Sequence, residues 1–184
     1  MAVAELAKPG ILDASAAREA VQMSLPSIEK ALLRPGVSGE HCLHIVIVDP
    51  LVKYGTGPFK DAVLHEHSIG DPKQWDADYR SFALGKAELA WKSGCDTHVI
   101  QEVHPHMLQI GDTLLWGGVC RDGLIVAASG AHPWFDEAFA NMVAGFLLAI
   151  AHERVRTARE RGAFLGEPAK GPITKKDRDV GGSY

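Results

Sequence analysis

Apolar and polar positions alternate along this chain with two different periods, and the changes of period mark its elements. Residues 14–33 place Ala17, Ala20, Val21, Ile28, Leu32 and Leu33 at spacings of three and four, which predicts an amphipathic helix with Asp13 as its N-cap. Pro26 falls inside this run and predicts a kink, or a break after which Ser24 caps a second helix. Residues 41–49 (His-Cys-Leu-His-Ile-Val-Ile-Val-Asp) form a short β-branched run stopped by Pro50, the mark of a strand covered on both faces. A loop over residues 51–60 leads to a second strand over residues 62–69. There, side-chain alternation puts His65 and His67 on one face and Glu66 on the other. Asp76 or Asp78 caps a helix running to Ser93, with Ala83, Leu84, Ala87 and Trp91 as its buried stripe, Lys86 off that stripe and Gly94 as C-cap.

The second half of the chain is more strongly punctuated. Residues 95–110 read as irregular or short helix, with a further strand near residues 97–103 as the alternative. The apolar runs 114–119 and 124–129 flank Arg121-Asp122-Gly123, a hairpin signal. A turn over residues 130–134 leads into a helix from Phe135 to about Arg161, whose last turns carry Arg154, Arg156, Arg159 and Arg161 at the negative end of the helix dipole. The order α–β–β–α–β–β–α predicts an α+β domain over residues 1–161, an antiparallel sheet flanked by helices. Residues 1–10 read as a leader. Residues 162–184, rich in Gly, Pro and charge, read as a flexible tail or an oligomer-contacting arm.

Composition narrows the class of protein. The 184 residues suffice for a core without staples, and a net charge of −4 with no basic stripe in the folded part argues against nucleic acid as partner. Three cysteines without a CxxC pair fit free thiols in a reducing compartment, so the expected location is the cytoplasm. No signal peptide is read at the N-terminus, and the apolar run 139–151 is too short to span a membrane.

Nine histidines are the chemical signal, through their grouping more than their number. His65-x-His67 and His104-Pro105-His106 each place two imidazoles side by side, the spacing of metal ligands, and His132 lies in the loop before the last helix. Three such rings with a carboxylate and an open position suit catalytic Zn or non-haem Fe. Glu66, Glu102 and His132 are the candidate acid–base groups. Lys86, Trp134, Asp136 and Glu137 are the candidates for holding a cofactor or anionic ligand near the start of the last helix. Each has a plainer role: surface or subunit contact for the paired histidines, dipole partner for Asp136 and Glu137, solvated lysine for Lys86. His41, His44 and His152 read as residues of the core edge or an interface.

Several of these segments together resemble the GlcG/HbpS-like (haem-degrading domain) family over residues 14–152. The likeness lies in the strand Ile45-Val46-Ile47-Val48-Asp49 and in Ser81-Phe82-Ala83-Leu84-Gly85-Lys86-Ala87, similar to an S-x-x-x-A-x-x-K-A pattern. It continues in Trp116-Gly117-Gly118-Val119, Asp122-Gly123, Ala128-Ser129-Gly130 and Asp136-Glu137-Ala138. The resemblance implies a profilin-like sandwich, assembly into homo-oligomers, and binding of haem, iron or other small ligands. The chain departs from the family in its long loop over residues 51–60, in His65-Glu66-His67 and in His132-Pro133-Trp134. These added nitrogen donors make a metal-dependent enzyme acting on a small organic molecule the first expectation, with a divalent metal (Fe or Zn) as Lewis acid or activator of water or dioxygen. A haem- or iron-binding protein without turnover is the second, and a structural subunit with interface histidines the third.

Overall fold

The computed structural model describes residues 10–162 and 164–166, so the expected leader and nearly all of the expected tail lie outside the described residues. Helix α1 (Ala14–Leu32) is capped by Asp13, whose carboxylate accepts from the Ala16 amide, and it buries Ala16, Ala17, Ala20, Val21, Ile28 and Leu32. It runs unbroken through Pro26, so Ser24 caps no second helix; its hydroxyl donates to the Ala20 carbonyl at 2.8 Å. Pro26 and Gln22, the residue whose carbonyl it leaves free, both lie on the exposed face. Strand β1 (Leu43–Val48) is buried at every position. A single turn of helix, α2 (Phe59–Ala62), closes the loop and delivers the chain to β2 (Val63–Ile69).

Helix α3 (Tyr79–Ser93) starts at Asp78 and ends at Gly94, which takes the left-handed conformation with φ 68°. The segment weighed as a strand near residues 97–103 is instead a helix, α4 (Thr97–Glu102), because Asp96 and Thr97 turn their side chains onto the neighbouring strand. The hairpin is β3 (Gly118–Arg121) and β4 (Leu124–Ser129), and both turn residues adopt positive φ (Asp122 51°, Gly123 83°), the signature of a type I′ turn. Residues 114–116 do not join it, and Gly117 meets β4 only through its carbonyl, which accepts from the Ala128 amide at 2.9 Å. Gly117, at φ 114°, bends the chain away, and a Cβ there would lie 2.7 Å from both the Ala128 carbonyl oxygen and the Asp136 Cβ. Helix α5 (Pro133–Arg161) opens on a proline at its first position.

The four strands form one antiparallel sheet in the order β2-β1-β4-β3. One face carries Ile45, Ile47, Val126 and Ala128 against α1 and α5; the other carries Val46, Val48, Ile125 and Ala127 against α3. This is the expected α+β sandwich of a sheet between helices. Helix α5, taken whole at 29 residues, is long and apolar enough to cross a membrane, which the shorter run 139–151 concealed. Its apolar stripe of Phe139, Val143, Leu147 and Ile150 is buried in the core between sheet and α1.

Candidate functional site

The free edge of β3 organises one corner of the molecule. An edge strand exposes backbone amides, and here Thr97 Oγ1 accepts from Gly118 N at 3.1 Å while Asp96 Oδ1 accepts from Cys120 N at 2.8 Å. Arg121 completes the clamp with two bonds to Asp96, Nη1 to Oδ1 at 2.6 Å and Nη2 to Oδ2 at 2.7 Å. Burial works to raise the Asp96 pKa, but the Arg121 guanidinium and the Cys120 amide outweigh it and hold the carboxyl below its ordinary value. With its start so fixed, α4 carries His98 to the N-terminal part of α5, where Nδ1 lies 2.6 Å from Glu137 Oε2. The Trp116 ring lies tilted against His98, with centroids 5.7 Å apart. Among the described residues, Asp96, His98 and Glu137 are the one group of three donor-type side chains whose ligand atoms all lie within 4.8 Å of one another.

Behind this corner lies a buried ion pair. Lys86 is 1% exposed, and its ammonium donates to Asp136 Oδ2 at 2.7 Å, the Ala128 carbonyl at 2.9 Å and Ser129 Oγ at 3.1 Å. The expectation of a solvated Lys86 off the helix stripe is therefore corrected. Ala83, Lys86, Ala87 and Ala90 share one buried face of α3, and the three acceptors waiting there let a charge occupy it. Asp136 also accepts from the Ala131 amide at 2.9 Å, which closes the start of α5. Burial pushes its pKa up to about 6, against the opposing pull of Lys86. Lys86 is in turn pushed down by burial, against the attraction of Asp136. With all three of its protons donated, the ammonium ties α3, β4 and α5 together; it has no hydrogen left to hold a cofactor.

The other expected site residues are dispersed. His65 and His67 lie half-buried on β2 at the opposite edge of the sheet, in register with Ile47 and Ile45 on the face toward α1. His104 and His106 meet edge-on at 5.9 Å in the 3-10 turn Pro105–Met107. His132 is exposed and stacks on Trp134, itself 58% exposed, so that pair walls no enclosed pocket. Glu102 is exposed at the end of α4. No three of His65, His67, His104, His106 and His132 come within reach of a shared ion among the described residues. Two period-2 pairs guarantee neighbours within a pair, and only chain topology decides whether pairs meet. Of the expected residues, Glu137 falls in the corner and Asp136 and Lys86 lie behind it. Asp96, His98 and Arg121 were missed, although Asp96-Thr97-His98 at a helix start was a legible capping signal with a histidine two residues on.

Glu66, on the opposite face of β2 from His65 and His67, belongs to a second polar cluster. It lies 3.0 Å from His44 Nε2 and pairs with Arg80 through Nε to Oε2 and Nη2 to Oε1, both at 2.7 Å.

No family model matches the chain, and no curated protein matches it. Among the solved structures that are similar to it, two are described by name. The Klebsiella pneumoniae protein ORFY, described with the family model DUF336, shares 16% identity over 80% of this chain and 99% of its own, with a TM-score of 0.46. A structure described as the PduOC:heme complex shares 17% identity over 72% of this chain and 89% of its own, with a TM-score of 0.44.

Proposed function

We propose that the protein binds a divalent metal ion at the corner of His98 and Glu137 and uses it on a small organic molecule. The observation that supports this reading is the convergence of Asp96, His98 and Glu137 donor atoms within 4.8 Å. The Nδ1–Oε2 approach of 2.6 Å marks a proton held between imidazole and carboxylate, and a cation that both ligate takes that proton's place. Asp96 stands in a different position. Both of its oxygens are engaged by Arg121, so it acts from the outer shell, fixing the start of α4 and so the place of His98. Held by His98 and Glu137, a divalent metal would supply Lewis acidity to a bound carbonyl or carboxylate.

Titration calorimetry with Zn²⁺ and Co²⁺ tests the reading. Wild-type protein is expected to bind one equivalent, His98→Ala and Glu137→Gln to weaken binding by about tenfold or more, and His65→Ala/His67→Ala to bind as wild type. If the His65/His67 variant loses the metal and His98→Ala keeps it, the site lies on β2 and the reading fails.

Haem binding without turnover is the second reading, and one feature favours it. His98 Nε2 has no protein partner among the described residues, and the Trp116 ring lies beside the imidazole with centroids 5.7 Å apart. Haemin added to the protein is then expected to give a shifted Soret band that His98→Ala abolishes.

A further inference from the structure

At the opposite edge of the sheet, three side chains form an ordered chain of hydrogen bonds. His44 on β1 faces Ser68 on β2 as a direct cross-strand pair, and Glu66 lies two residues along the same strand on the same face. His44 Nδ1 is 2.9 Å from Ser68 Oγ, and His44 Nε2 is 3.0 Å from Glu66 Oε2. The imidazole is buried, 3% exposed.

The proton positions follow from the acceptors. Glu66 is gripped by Arg80 through both carboxylate oxygens, at 2.7 Å each, so it is ionised and only accepts. His44 Nε2 must then carry the hydrogen it gives to Glu66. In the neutral ring, Nδ1 is left with a lone pair, and Ser68 can satisfy it only by donating its hydroxyl hydrogen. A serine hydroxyl directed at an imidazole base, with the far nitrogen of that base oriented by a carboxylate, is the arrangement that makes serine nucleophilic. Here the roles of the two ring nitrogens are exchanged relative to the serine-protease order. The proton inventory is the same.

Two further features lie around the chain of bonds. Trp75 covers the imidazole edge-on at 6.1 Å, and its indole Nε1 is buried with no hydrogen-bond partner. A buried donor with no acceptor is costly. Ser68 is half-buried on β2, the outermost strand, whose outer side is flanked by no further strand among the described residues.

We propose that Ser68, His44 and Glu66 form a nucleophilic site for a small carboxylic ester or thioester, separate from the His98–Glu137 corner. Ser68 Oγ bonds to the acyl carbon as its hydrogen passes to His44 Nδ1. The acyl–oxygen or acyl–sulfur bond breaks, and the leaving alcohol or thiol takes that hydrogen. Water then attacks the acyl-serine, giving one hydrogen to His44, which returns it to Ser68 as the carboxylic acid leaves. No redox partner enters, and atoms balance at each step.

The test is covalent labelling of the whole chain with a fluorophosphonate probe, read by peptide mass spectrometry. Ser68 Oγ is expected to displace fluoride and gain the phosphonyl group. Ser68→Ala is expected to remain unlabelled with an unchanged circular dichroism spectrum, and His44→Gln to label at least about a hundredfold more slowly. Absence of a Ser68 adduct on folded wild-type protein overturns the proposal, as does a labelling rate that His44→Gln leaves unaltered. Should His44→Gln not fold, the wild type and Ser68→Ala decide the matter between them. Metal and haemin titrations report on His98 alone, so either reading can fail without the other.

Discussion

Lys86 and Asp136 show how a single pair sets the limits on a corner of the fold. Each is buried, and each has only the other as a counter-charge among its hydrogen-bond partners. Removing one partner leaves a buried charge without its complement, so Lys86→Met is expected to cost about 3–5 kcal/mol. The double variant Lys86→Met/Asp136→Leu, which removes both charges, is expected to cost distinctly less, and urea unfolding of the two proteins separates these outcomes. The pair also has a pH signature of its own. Asp136 is raised from 3.8 to about 6, so its link to folding is fully present below about 3.8 and is lost as pH rises through about 6. In Asp136→Asn that slope is expected to vanish from the plot of unfolding free energy against pH. Gly117 constrains the same corner sterically: it has φ 114° and no room for a Cβ beside Asp136 and Ala128, so Gly117→Ala is expected to destabilise the fold and disturb the approach of α5 to β4.

Among the elements, α1 and α5 carry the clearest excess cost. Pro26 sits within α1 on its exposed face, where it removes one helical hydrogen bond. Pro26→Ala restores that bond and is expected to raise stability by about 1 kcal/mol or more, seen as a higher urea midpoint. Gly145 lies exposed inside α5 with open space around its missing Cβ, so Gly145→Ala is expected to add about 1 kcal/mol by the same measurement. The hairpin is already close to ideal, because Asp122 and Gly123 both take the positive φ that a two-residue connection demands. These local features were legible in the sequence: Asp13 as cap, Asp76 or Asp78 as the next cap, Gly94 as terminator, Asp-Gly as turn; the structure selects Asp78. The burial of Lys86 was not, since its partner lies 50 residues further on and on another element.

At the scale of the whole molecule, acid is the expected weakness. Burial depresses His44, His65 and His67 below the ordinary 6.5, aided for His65 by the charge of His67. A histidine with a depressed folded pKa binds protons more readily when unfolded. Stability from these three residues is therefore present above about 6.5 and is lost as pH falls below it. The urea midpoint is expected to drop between pH 7.5 and 5.5, and to drop less in His65→Gln/His67→Gln. A midpoint that does not move over that interval would show that these rings titrate alike in folded and unfolded chains.

The sequence by itself determined the three long helices, the four strands, their order and the α+β sandwich, because helix and strand periods, caps and turn residues act over a few neighbouring positions; it did not mark α2, and it admitted a strand where α4 lies. It also marked Glu66, Asp136 and Glu137 as carboxylates of interest, though with other partners. Which side chains meet was decided only by the tertiary structure. The sheet order β2-β1-β4-β3 sends the His65/His67 pair to one edge, while the clamp of Asp96 on β3 brings His98 to Glu137 at the other. The same order sets Ser68 directly across from His44. Contacts between residues 24 to 50 positions apart follow from strand pairing and helix packing, and local periodicity carries no record of either.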